Sequence, residues 1–212
     1  MRWLPVLAIL FVSSPAVAQD PVKVDPAHHK VEIDNSQVRV LRVTLGPNEK
    51  TTVAEHPASA AIFLTEGKQR VGPGGNDTRK PGDAVMLAAG KHVFENLGNA
   101  RAEIVVIEFK TPPITPWKAV ALDPVKVDPG NFKVIAESDY AQILRGTAKP
   151  PKIEHEHGAY LFVWLSGGTL ARGAVQYRAG PEKHAPQNDG EAIMVELKTQ
   201  PGAPAAKQEH GT

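Results

Sequence analysis

The sequence predicts an all-β protein built from one unit used twice. Three observations lead there: a segment repeated letter for letter, apolar runs of strand length, and 18 glycines with 19 prolines among 212 residues, too much punctuation for long helices.

The repeat carries the most information. Asp20-Pro-Val-Lys-Val-Asp-Pro26 returns unchanged as Asp123-Pro-Val-Lys-Val-Asp-Pro129. The match continues in order: Lys30-Val31 with Lys133-Val134, Leu41-Arg42 with Leu144-Arg145, and Glu55-His56 with Glu156-His157. Leu64 and Gly67 then fall on Leu165 and Gly168, the span Gly90–Asn96 lies close to Gly180–Asn188, and Glu108-Phe-Lys110 meets Glu196-Leu-Lys198. Two deletions in the second copy accommodate the register.

Duplication settles local structure that one copy leaves open. Phe132 to Arg145 lacks Pro and Gly and reads as helix or strand. Its partner, His29 to Arg42, contains the turn signal Asp34-Asn35-Ser36 followed by the alternating Val38-Arg39-Val40. A strand–turn–strand reading satisfies both copies. Further strands are expected over Ala60–Leu64, Ile104–Phe109, Tyr160–Leu165 and Ile193–Leu197, and Gly72-Pro-Gly-Gly-Asn76 reads as a hairpin tip absent from the second copy.

Arg2, the apolar run Trp3–Val12 and the small-x-small pattern Ala16-Val17-Ala18 have the layout of a secretory leader cut after Ala18. The apolar run falls short of the about 20 residues needed to span a bilayer. The expected organisation is a leader over 1–18, a first repeat over 19–117, a second over 118–200 and a disordered polar tail over 201–212. The expected location is periplasmic or secreted, with no membrane association after cleavage. Lys plus Arg (24) nearly balances Asp plus Glu (23) without a basic face, so nucleic acid is not an expected partner. There is no cysteine, which excludes disulfides, thiolate nucleophiles and thiolate ligands. Metal or catalytic chemistry then falls to His, carboxylates, hydroxyls and backbone groups.

Five of the eight histidines stand at repeat-equivalent places: His56 and His92, then His155, His157 and His184. Two residues apart on a strand, His155 and His157 point to one face and can share an ion. His92 precedes Asn96 by four residues and His184 precedes Asn188 by four, each after a glycine turn. His28-His29 matches Asn131-Phe132, which argues against a site shared by both copies there. Trp117 and Trp164 read as packing residues, and His210 lies in the tail.

With these motifs the chain resembles the cupin superfamily, in which an H-x-H motif and a glycine turn with H-x-x-x-N converge in a small β-barrel around a metal. His155 and His157 match the first motif; His184 and Asn188 match the second. Gly82, Gly90, His92 and Asn96 match most of the second motif in copy one. The resemblance implies two RmlC-like, cupin-type jelly-roll β-barrels in tandem. It implies a divalent transition metal (Fe, Mn, Ni, Zn or Cu) held by His155, His157 and His184, with Tyr160 or Gln187 nearby. It also implies a small-molecule ligand or substrate, and a homodimer through edge strands.

Two departures qualify it. The Glu of the first motif is replaced by Leu161 and Phe162, and by Ala60 and Ala61 in copy one; Ala54 stands at copy one's first-His position. Copy one is therefore expected to be a structural partner with a degenerate site. The functional readings are a metal-dependent enzyme on a small organic substrate, a non-catalytic small-ligand or metal-binding protein, and a structural bicupin without metal. No catalytic acid or base is assigned.

Overall fold

A computed structural model of the chain describes residues 19–72, 77–167, 170–186 and 189–202. The leader 1–18, the hairpin-tip residues 73–76, Gly168, Thr169, Gln187, Asn188 and the tail beyond residue 202 lie outside the described residues. No helix among the described residues is long and apolar enough to cross a membrane.

The two identical heptapeptides fold identically. Each makes one helical turn, α1 (Pro21–Val24) and α2 (Pro124–Val127). Asp20 and Asp123 cap them, accepting from the Val22 and Val125 N–H groups, and Pro occupies the first helical position, where its missing N–H loses no bond.

Copy one continues with β1 (His29–Asp34), β2 (Val38–Leu45), β3 (Ala54–His56), β4 (Ser59–Phe63) and β5 (Gly67–Val71). It finishes with β6 (Asp77–Arg79), β7 (Ala84–Leu87), β8 (Gly90–His92), β9 (Phe94–Asn96) and β10 (Ala102–Phe109). Copy two supplies β11 (Phe132–Glu137), β12 (Ala141–Thr147), β13 (His155–His157), β14 (Tyr160–Gly167), β15 (Val175–Arg178), β16 (Glu182–His184) and β17 (Gly190–Leu197). The strand–turn–strand expectation holds in both copies: β1 pairs β2, β11 pairs β12, and both ladders slip at the same place, Val31/Ile33 and Val134/Ala136.

The large sheets share one plan, β1-β2-β10-β4-β7 and β11-β12-β17-β14-β15. Each faces a small two-stranded sheet, β3-β8 or β13-β16, so each repeat is a jelly roll. Copy one adds a third sheet, β6-β5-β9, whose β5–β6 pair flanks the expected hairpin tip.

Alternation along the strands explains where the core sits. Leu41, Val43, Ile104 and Val106 point into barrel one, whereas Val38, Val40, Val105 and Ile107 point out of it. The outward set packs on its counterparts from copy two (Ile143, Leu161, Val163, Ile193, Val195), so the two large sheets lie face to face. A strand buried on both faces needs no polar residues, which is why Ser59–Phe63 is buried throughout.

The contact is reciprocal, as a pseudo-two-fold axis requires. Arg42 Nη2 donates to the Gly173 carbonyl, and Arg145 Nη2 donates to the Pro81 carbonyl beside Gly82. Gly82 and Gly173 both have positive φ (87° and 79°). A Cβ there would stand 2.5 Å from Leu165 Cδ1 and 2.8 Å from Leu64 Cδ1 respectively. Gly82→Ala and Gly173→Ala should each lower unfolding stability by roughly 1–3 kcal/mol in urea titrations. Unchanged midpoints would mean that the contact tolerates a side chain.

Candidate metal centre and cavity

The β13–β16 ladder assembles the site. His155 pairs with His184 and His157 with Glu182, and directly opposed residues of an antiparallel pair share a face. Three imidazoles therefore converge from two short strands. Their ring centres are 4.9 Å (His155–His157), 4.7 Å (His155–His184) and 5.4 Å (His157–His184) apart. One nitrogen from each lies within 4.8 Å of the others. Imidazoles around a tetrahedral ion have ring centres about 5 Å apart, so the observed spacing suits one.

Hydrogen bonds fix which nitrogens can bind. The Ile153 carbonyl can only accept, so His155 Nδ1, 3.0 Å away, carries its proton. The Glu196 carboxylate likewise takes the His157 Nδ1–H at 2.8 Å. His157 Nε2 is buried with no partner, as is His184 Nδ1. Burial pushes His155 down to about 4, so its ring is neutral at neutral pH. Burial, and then the nearby His157, lower His184 too. Buried imidazoles with an orphaned Nε2 are the donor set a borderline divalent ion takes.

Two carboxylates belong to the site. Glu196 orients His157, in the manner of an outer-sphere acceptor. Glu182 accepts from Tyr160 Oη at 2.8 Å, and its other oxygen lies 3.6 Å from His184 Nδ1. Burial and this hydrogen bond raise Tyr160 above its ordinary value, keeping it a phenol. The Tyr160 ring centre is 4.5 Å from that of His157. Gln187 and Asn188, the other motif residues, lie outside the described residues. The signal for Glu182 was its parity with His184 in Glu182-Lys-His184; that for Glu196 was its repeat match with Glu108.

A cavity of about 280 Å³ adjoins the triad, walled by Phe132, Tyr160, Phe162, Trp164 and Arg178. Trp164 is therefore a cavity wall rather than a packing residue, and its Nε1–H is buried with no partner. Trp117 does pack, under Lys198 Nζ at 4.7 Å. The strand registers say why barrel two has this cavity. Val43 and Ile104 of copy one become Gly146 and Ala192, and Ala102 becomes Gly190. Copy one fills this volume with the Leu41, Val43, Leu45 and Ile104 cluster.

In copy one, Ala54 pairs with His92 and His56 with Gly90, as His155 with His184 and His157 with Glu182. The glycine match is thereby shifted: Gly90 corresponds to Glu182, not to Gly180. Asn96 is structural. Its amide donates to the Gly46 and Ala100 carbonyls and its Oδ1 accepts from Gly98 N–H. His28 bonds Asp25 at 2.8 Å. His29, by contrast, is buried with its ring centre 6.3 Å from that of His56.

Glu108 repeats the Glu196 arrangement, accepting from His56 Nδ1 at 2.9 Å, but Arg39 also holds it. Gln142 takes Arg39's place opposite Glu196. Burial alone would raise Glu108; the His56 and Arg39 hydrogen bonds outweigh it and hold the carboxyl below its ordinary 4.5. Its stabilisation is therefore complete above that value and is lost as pH falls through the depressed folded value. Glu108→Gln should cost roughly 3–5 kcal/mol at neutral pH. The melting-temperature gap to wild type should narrow as pH drops below about 4. A gap constant with pH would contradict this pairing.

No protein-family model matches the sequence, and no curated protein matches it. Solved structures do. AerE from Microcystis aeruginosa is 15% identical, with a TM-score of 0.58 over 86% of this chain and 97% of its own. A cupin 2 conserved barrel domain protein from Leptotrichia buccalis is 12% identical, covering 80% of this chain and 88% of its own, with a TM-score of 0.49. A cupin domain from Bordetella pertussis is 24% identical over 39% of this chain and 91% of its own, with a TM-score of 0.36. The likeness to AerE shows a shared fold, and the tandem jelly rolls are the architecture that the cupin resemblance implied.

Proposed function

We propose that this is an exported protein that binds one divalent transition metal (Fe, Mn, Ni, Zn or Cu) through His155, His157 and His184. The metal would face a small organic ligand in the cavity of the second barrel. The observation that carries the reading is the trio of imidazoles with donor atoms within 4.8 Å, one of them with a fully buried and unpartnered Nε2. Three nitrogen ligands leave positions for water or substrate. When bound, the ion would supply Lewis-acid or oxygen-activating chemistry. The chain's own residues have separable tasks: Glu196 orients His157, the aromatic wall excludes water, and Glu182 with Tyr160 can accept and return a proton at the cavity edge.

A second reading, a non-catalytic metal or small-ligand carrier, is favoured by the donor set itself, which contains no carboxylate. Turnover of candidate organic acids and phenols by metal-loaded protein, followed by product formation and oxygen uptake, separates the two. Export rests on the leader-like residues 1–18, and mature protein beginning at Gln19 would support it.

Metal content of the untagged mature chain, with zinc titration, tests the site. His157→Ala should lose one tight equivalent relative to wild type, with the fold retained. Glu196→Gln should keep that equivalent but weaken it about 10–100-fold. Wild-type protein that takes up no metal, or His157→Ala that keeps every equivalent, would overturn the proposal.

A further inference from the structure

Barrel two has gained hydrogen-bond donors as well as space. In copy one, β7 lays Leu87 opposite Ser59 and Val85 opposite Ala61. In copy two, β15 lays Arg178 opposite Tyr160 and Gln176 opposite Phe162, and both line the cavity beside the triad. Two aliphatic positions of the wall have become an arginine and an amide.

This arginine is uncommitted. Arg39 of copy one is held by two carboxylates, Glu108 and Asp20. Arg178 Nη2 donates to Gln176 Oε1 at 3.2 Å, and among the described residues no carboxylate pairs with it. Its charge is felt at Tyr160 and His184, so the guanidinium lies toward the triad. The bond to Gln176 engages the amide oxygen and leaves the amide NH2 to donate elsewhere. A guanidinium fork beside an amide N–H group suits the two oxygens of a carboxylate.

Next to these donors the wall is aromatic. The Phe162 and Trp164 rings are stacked, 25° and 5.4 Å apart, and half-buried, so part of each stays open. Beside them Ala192 and Gly190 stand where copy one has Ile104 and Ala102. At about 280 Å³ the cavity is at the small end of ligand sites, with room for one ring. We propose that the ligand of the second barrel is a single-ring aromatic carboxylate, its carboxylate on Arg178 and Gln176 and its ring against Phe162 and Trp164. The assignment rests on the reading that this cavity holds a small organic ligand, and it needs no metal for the binding step.

Calorimetric titration of the metal-free mature chain with benzoate tests it. Wild type should bind benzoate about 10–100-fold more tightly than benzyl alcohol, which keeps the ring and loses the charge. Acetate, which keeps the charge and loses the ring, should also bind more weakly than benzoate. Arg178→Leu should erase the preference for benzoate and leave benzyl alcohol binding unchanged, whereas Ala192→Ile should weaken both by filling the ring's place. Circular dichroism checks folding, and Arg178→Gln serves if Arg178→Leu does not fold. No benzoate bound by metal-free wild type, a preference that survives loss of the arginine, or tighter binding of phenyl phosphate overturns the proposal. Zinc titration of the same proteins keeps the two readings apart. Arg178→Leu should retain the tight metal equivalent, and wild type that binds benzoate but no zinc would sink the metal site alone.

Discussion

Face-to-face burial of the two large sheets sets the terms for everything else in the molecule. Val38, Val40, Val105 and Ile107 of one repeat and Ile143, Leu161, Val163 and Ile193 of the other have no exposure. With no cysteine in the chain, this shared core and the two barrel interiors supply the stabilisation that disulfides give many exported domains. The contact also holds both barrels in fixed registers, through matched pairs such as Arg42 with Gly173 and Arg145 with Pro81. Small sheets on the far side of each barrel are then free of packing duties toward the other copy. They carry the histidines.

The two barrels keep this framework and diverge inside it. Barrel one is filled with branched aliphatic side chains, and its glutamate is neutralised by Arg39. Barrel two has traded aliphatic volume for aromatic walls: Gly146 for Val43 and Ala192 for Ile104, against Tyr160 for Ser59 and Phe162 for Ala61. The same exchange leaves room beside three imidazoles and removes the arginine from Glu196. A carboxylate without a competing arginine is left to accept from His157 alone. Duplication thus supplies the scaffold twice, and a few substitutions decide which copy is hollow.

Much of the fold was legible because the repeat doubles each signal. The turn at Asp34-Asn35-Ser36 settled the ambiguous Phe132–Arg145, and the H-x-H spacing placed two imidazoles on one face without knowledge of the sheet. What escaped were contacts that depend on cross-strand register. Parity with His184 hints at Glu182, but its place opposite His157 depends on the ladder, and nothing along the chain announces that His29 approaches His56. Trp164 was misread for a related reason. A large apolar residue on an inward face signals burial, but not whether its neighbours fill the space or leave it empty.

The central claim is that His155, His157 and His184 together bind one ion. X-ray absorption on protein loaded with one equivalent of zinc measures this directly. The account predicts a first shell of three imidazole nitrogens at about 2.0–2.1 Å with one oxygen ligand. An oxygen-only shell, or fewer than three imidazoles, would contradict it.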